Sequence, residues 1–184
     1  MNRFTIFTKA LALIHLRNRS VLFWNLVFPV ITLLLYGTVF SGEVFGGTAA
    51  GDGYIDWVLP GVLVFNALSF GLISSSAMML SMRENGVLRR LQATPMPAGQ
   101  LVGAYLLVNV TIVLLQSVII IAVAKIVFGA AVTVGGLLLA LPMLLVGIIT
   151  FVALGQLVSG LAPTQNVAVM AGQLGYFALL FVTD

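Results

Sequence analysis

The chain has 184 residues, 61% of them hydrophobic and 7% charged, against about 45 to 50% and about 25% in soluble domains. So few charges cannot hydrate a soluble surface, and a net charge of +3 without a dense Lys/Arg cluster gives no nucleic-acid-binding face. Cysteine is absent and histidine occurs once, which excludes disulfides, thiolate metal sites and His-pair zinc sites. The composition predicts an all-α, polytopic membrane protein, embedded in lipid, with no nucleic-acid partner.

In chain order, residues 1–20 plot as an amphipathic helix lying in the membrane interface. Phe4, Phe7, Leu11 and Ile14 form its apolar stripe, with Thr5, Thr8, Lys9, His15 and Arg19 on the other side. His15 reads as a surface or interfacial residue before it reads as a ligand. Arg3, Lys9, Arg17 and Arg19 precede the first span with no acid among them, which predicts a cytoplasmic N-terminus. The competing reading, a secretory signal peptide, does not fit the length of the apolar run that follows.

That run, Val21 to Phe40, carries no charge and at about 1.5 Å per residue crosses a hydrocarbon core of about 30 Å. It contains Pro29, which neighbouring helices can accommodate. The Gly-rich stretch 41–56 holds Glu43, Asp52 and Asp56 and no basic residue, so it reads as an outer loop. Solvated acids explain these carboxylates better than a metal site, since their spacing matches no calcium loop.

The second span covers Trp57 to Ser81. Asn66, Ser69 and Ser76 share a helical face with Ile73, and Ser74 and Ser75 add hydroxyls able to bond their own backbone. A polar island follows, within residues 82–100: Arg83, Glu84, Asn85, Gly86, Val87, Leu88, Arg89, Arg90, Leu91, Gln92, Ala93, Thr94, Pro95. Val87, Leu88 and Leu91 make a small apolar ridge flanked by guanidinium groups, a surface suited to docking another protein. Pro95 and Pro97 end it.

The third span, Leu101 to Ala124, aligns Tyr105, Asn109, Ile112 and Gln116 on one face. Polar amides at membrane depth pair between helices or line a substrate path, and both readings stand. Lys125 ends this span. The fourth span covers Gly135 to Val158 with Pro142 inside, and the turn Ala162-Pro163-Thr164-Gln165-Asn166 leads to a fifth. There Ala168, Ala171, Gly172 and Gly175 form a small-residue seam and Gln173 faces elsewhere.

No Asp, Glu, Lys, Arg or His falls near the middle of any predicted span, where ionised groups are kept mainly for function. Gradient-driven transport lacks its usual residues, and no GxxxxGK[ST] phosphate loop is present. An intramembrane enzyme lacks a nucleophile with an activating base. Any uphill transport must be powered by another polypeptide.

The amphipathic helix, first span, outer loop, second span and the loop E-N-G-V-L-R-R-L-Q-A-T-P before the third, with the A-P-T-Q-N turn, together resemble the permease subunits of ABC type-2 exporters. The resemblance covers essentially residues 21–184 together with the 1–20 helix, and the loop most resembles the drug- and antibiotic-export branch. It implies a coupling helix that docks on an ABC ATPase subunit: Glu84 and Gly86 at its start, Val87, Leu88 and Leu91 as buried ridge, Arg89 and Arg90 as basic flank, Thr94 and Pro95 as its close. ATP and magnesium would be bound by that partner, leaving no cofactor and no catalysis in this chain.

It further implies a permease homodimer or heterodimer in a prokaryotic inner membrane. Asn66, Ser69, Tyr105, Asn109 and Gln116 would lie along the path of a hydrophobic or amphipathic cargo. A sixth span belongs to the family pattern and is missing here, so a fragment, or a partner that supplies the helix, is expected. The alternative is a non-transporting membrane scaffold or assembly subunit.

Overall fold

The computed structural model describes residues 3–17, 19–40, 54–87, 97–130 and 132–182. In chain order the helices are α1 (Arg3–Arg17), α2 (Arg19–Phe40), α3 (Tyr54–Ser69), α4 (Ser76–Glu84), α5 (Ala98–Phe128), α6 (Val134–Leu161) and α7 (Gln165–Val182). A π-helical segment, Phe70–Ser75, joins α3 to α4, so that Tyr54–Glu84 is one continuous rod of 31 residues. Among the described residues three helices are long and apolar enough to cross a membrane: Tyr54–Glu84, Gly99–Phe128 and Gly135–Leu161. The first and fifth predicted spans are helical too, α2 over 22 residues and α7 over 18.

Helix ends follow local chemistry more closely than they follow apolarity. Pro97 stands at the N-cap of α5, where its missing N–H costs nothing, and Gly129 ends that helix with φ 67°. The third span therefore runs from Ala98 to Phe128, beyond the apolar stretch 101–124 that predicts it. Thr133 caps α6, its hydroxyl oxygen accepting from the Gly136 N–H at 3.3 Å. Helix α4 stops at Asn85, and Gly86 turns the chain with φ 69°.

Packing is layered along the rods. Leu33, Ile55, Leu59, Leu63 and Ile120 hold α2, α3 and α5 together at one end. Ala67, Phe70, Val113, Ile148 and Val152 fill the middle between α3, α5 and α6. At the other end Phe7, Leu11, Met82, Tyr105 and Val108 seat α1 on α4 and α5. The outward faces are apolar, as in Leu139, Met143 and Leu161 of α6 and Phe181 of α7. In lipid that is the expected arrangement, since the solvent is as apolar as the core.

Two expectations change. His15, assigned above to the polar side of α1, is buried against α5, 6.1 Å between ring centroids from Tyr105. It continues the i, i+4, i+8 row begun by Phe7 and Leu11, and in a short helix that row decides the docked face. The shared face of Asn66, Ser69, Ile73 and Ser76 is also broken, because a π turn inserts an extra residue and resets the 3.6-residue period between Ser69 and Ser76.

Candidate functional site

The π segment is the hub of the bundle. Helices α6 and α7 both pack on it, and π turns inside α-helices are frequent where a protein works. Glycines on the facing helices allow backbone to touch backbone. A Cβ on Gly71 would lie 2.6 Å from the Phe151 carbonyl carbon, and one on Gly155 would be driven into the Gly71 carbonyl oxygen. On Gly172 it would lie 2.5 Å from the Leu72 carbonyl oxygen. Gly172 belongs to the small-residue seam of the fifth span, and this contact is what the seam is for.

Around the hub runs a belt of neutral polar groups. The Tyr105 hydroxyl donates to the Ser75 carbonyl at 2.7 Å, and the Asn109 side-chain amide donates to the Tyr105 carbonyl at 2.7 Å. The Asn66 amide donates to Gln116 Oε1 at 3.3 Å, tying α3 to α5. Ser74, whose hydroxyl could also bond its own backbone, donates to Asn25 Oδ1 at 2.8 Å and so reaches α2. Ser76 does bond backward, to the Ile73 carbonyl at 3.1 Å and to the Leu72 carbonyl.

The five residues named for a substrate path thus fall into two groups. Asn66 and Ser69 line a cavity of about 200 Å³ between α2 and the α3/π rod, with Asn25, Phe28, Pro29, Phe65 and Phe70. Gln116 stands behind Asn66. Tyr105 and Asn109, 1% and 0% exposed, are enclosed where α5 meets the rod and bond to backbone. The belt is incompletely satisfied: Ser75 Oγ, Asn109 Oδ1 and Gln116 Nε2 are buried without a hydrogen-bond partner among the described residues. Such groups hold helices together or bind a neutral polar ligand group, and none of them titrates near neutral pH.

Sequence reasoning missed Asn25 and the π turn. For Asn25 the available signal was an amide inside the first apolar run, and for the π turn it was Gly71 close to three consecutive serines, Ser74 to Ser76. A second, larger cleft of about 550 Å³ opens between α3, α5 and α6, lined by Leu63, Ala67, Leu144, Ile148 and Phe151, with Asp56 at one end.

At the other end of the rod, Glu84, Gly86 and Val87 are described, while Leu88, Arg89, Arg90, Leu91, Thr94 and Pro95 lie outside the described residues. Glu84 is exposed, and its Oε1 accepts the backbone N–H of Gln165 at 2.8 Å. The bond joins the loop stretch to the A-P-T-Q-N turn, 81 positions apart. Beneath it Leu80, Ala162 and Ala168 form a small buried cluster.

No curated protein and no solved structure shows significant similarity to the chain. Residues 2–183, nearly its full length, match the family model described as ABC-2 type transporter. Members of that family supply the membrane-spanning permease, a component without catalysis of its own that normally works with an ABC ATPase. An all-helical bundle with long apolar rods is what such a component requires, and this integral membrane protein belongs to the ABC-2 type transporter family.

Proposed function

We propose that the chain is the permease subunit of an exporter that moves a hydrophobic or amphipathic small molecule, driven by a separate ATPase docked on residues 84–95. The observation that carries this reading is the family match over residues 2–183 in a chain whose spans hold no ionised side chain near the membrane centre. Without such groups a gradient has nothing to act on, so the energy enters through the polar loop between α4 and α5. Val87, Leu88 and Leu91 supply the docking ridge, and Arg89 and Arg90 its charged flank. The N-terminus and this loop face the cytoplasm, in keeping with the basic residues before α2.

An uncharged, partly polar cavity beside the π segment and a larger apolar cleft suit an apolar or amphipathic cargo better than an ion. Asn66, Ser69 and Gln116 contact its polar group, while Tyr105 and Asn109 support the rod behind them. Two permeases and two ATPases form a closed two-fold assembly in a prokaryotic inner membrane, and nucleotide binding in the ATPases is transmitted to each bundle through this loop. The test is Leu91→Asp and Arg89→Glu in detergent-solubilised permease: capture of the ATPase drops at least about tenfold, the loss expected when a buried docking contact of about 1.4 kcal/mol or more is removed. Undiminished capture by both variants refutes the docking.

A further inference from the structure

Glu84 stands where its own helix disfavours it. It is the last residue of α4, at the partially negative end of the helix macrodipole, where basic residues are stabilising and acids are not. Its carboxylate instead reaches α7, whose first turn contains no acidic residue of its own, and accepts the Gln165 N–H at 2.8 Å. Gln165 opens α7, so this N–H is one of the four that the helix leaves without an internal partner. Thr164 covers a different donor, the Val167 N–H, at 3.4 Å. A carboxylate that is unfavourable for α4 thereby becomes a cap for α7.

The bond does not stand alone. Directly under it Leu80 of α4 packs on Ala168 of α7 and on Ala162 of the preceding turn, all at most 5% exposed. Further along the same two rods Gly172 lies against the Leu72 backbone. The rod ending in Glu84 and the helix starting at Gln165 are thus held at three heights, and Glu84 is the charged and outermost of the three.

We propose that Glu84 is a positioning residue that latches the N-terminus of α7 to the end of the rod, so that displacement of the loop after Glu84 is passed to α7 together with the rod. This rests on the reading of residues 84–95 as an ATPase-docking loop and gives Glu84 a role directed at its own chain. Movement is transmitted because a charge-assisted bond over a close-packed contact permits little independent sliding. Release of the latch removes the charged contact at this end of α7 and leaves beneath it the apolar cluster of Leu80, Ala162 and Ala168 and the Gly172 contact.

Hydrogen exchange of the permease alone reads the latch. Glu84→Ala speeds exchange at the Gln165 amide by about fivefold, the factor for a cap of about 1 kcal/mol, while Glu84→Asp recovers part of the protection. Exchange at Gln165 unchanged in Glu84→Ala overturns the proposal, whatever the ATPase does. Because the chain has no cysteine, a nitroxide on Gln173→Cys reports α7 without background. In the permease–ATPase complex, compared at equal captured ATPase, a non-hydrolysable ATP analogue shifts that spectrum in the parent and not in Glu84→Ala. A full shift in Glu84→Ala overturns the transmission. If Leu91→Asp and Arg89→Glu still capture ATPase, the docking reading has failed, and the hydrogen-exchange result then stands as a judgement on the latch alone.

Discussion

The hydroxyl of Tyr105 on α5 donates to the carbonyl of Ser75, the last residue of the π segment, at 2.7 Å with both residues at most 1% exposed. A π turn widens the helix, and this bond ties its end to a neighbouring rod that is itself braced by Asn109. The hub is therefore held by a side chain from outside it as well as by its own ladder.

Tyr105→Phe removes that bond while keeping the ring. The expected cost is about 0.6 to 1.7 kcal/mol, the range for interhelical bonds in membrane bundles. Thermal unfolding in detergent measures it, and an unchanged midpoint means that the Ser75 carbonyl is satisfied within its own helix.

The backbone contacts at the hub predict a sharp contrast among glycines. Gly172→Ala places a methyl 2.5 Å from the Leu72 carbonyl oxygen, and Gly155→Ala meets the Gly71 carbonyl, so each forces helices apart and destabilises by about 1 to 3 kcal/mol. Gly61→Ala and Gly103→Ala meet nothing within 4 Å and, inside helices, are expected to stabilise by up to about 1 kcal/mol. Ranking the four variants by thermal midpoint checks the packing directly.

His15 makes stability depend on pH. Burial against α5 lowers its pKa below the ordinary 6.5, with the Leu11 carbonyl acting weakly in the opposite direction. The unfolded chain therefore takes up a proton more readily than the folded one. The contribution is complete above pH 6.5, erodes as pH falls below 6.5 and levels off beneath the folded pKa. His15 is the only histidine, so denaturation between pH 7.5 and about 5 reads this one side chain with little interference from carboxylates. The parent loses stability across that window, and His15→Gln flattens the profile.

The candidate site was only partly legible in the sequence. Asn66 and Gln116 could be singled out because amides are rare within apolar runs, yet which amide met which needed the two rods set side by side. Tyr105 and Asn109 lie on the same predicted face as Gln116, but the cavity lies beside Asn66 and Ser69 alone. The cavity is lined from α2 and the rod, whereas Tyr105 and Asn109 sit on α5 and spend their donors on the Ser75 and Tyr105 carbonyls. Glu84 was legible as a polar residue of the loop, whereas its partner is a backbone amide, invisible to any reading of side-chain pattern.

By itself the sequence determined that this is a helical membrane protein, roughly where its rods run, and which family it belongs to. Those properties follow from quantities that add along the chain: apolar length against bilayer thickness, charge placement, and a loop motif of fixed spacing. Tertiary structure alone decided that His15 is buried, that the second span carries a π turn at Phe70–Ser75, and that Glu84 caps α7. Each of these is a choice between locally similar alternatives, settled by which distant backbone comes within van der Waals or hydrogen-bonding reach.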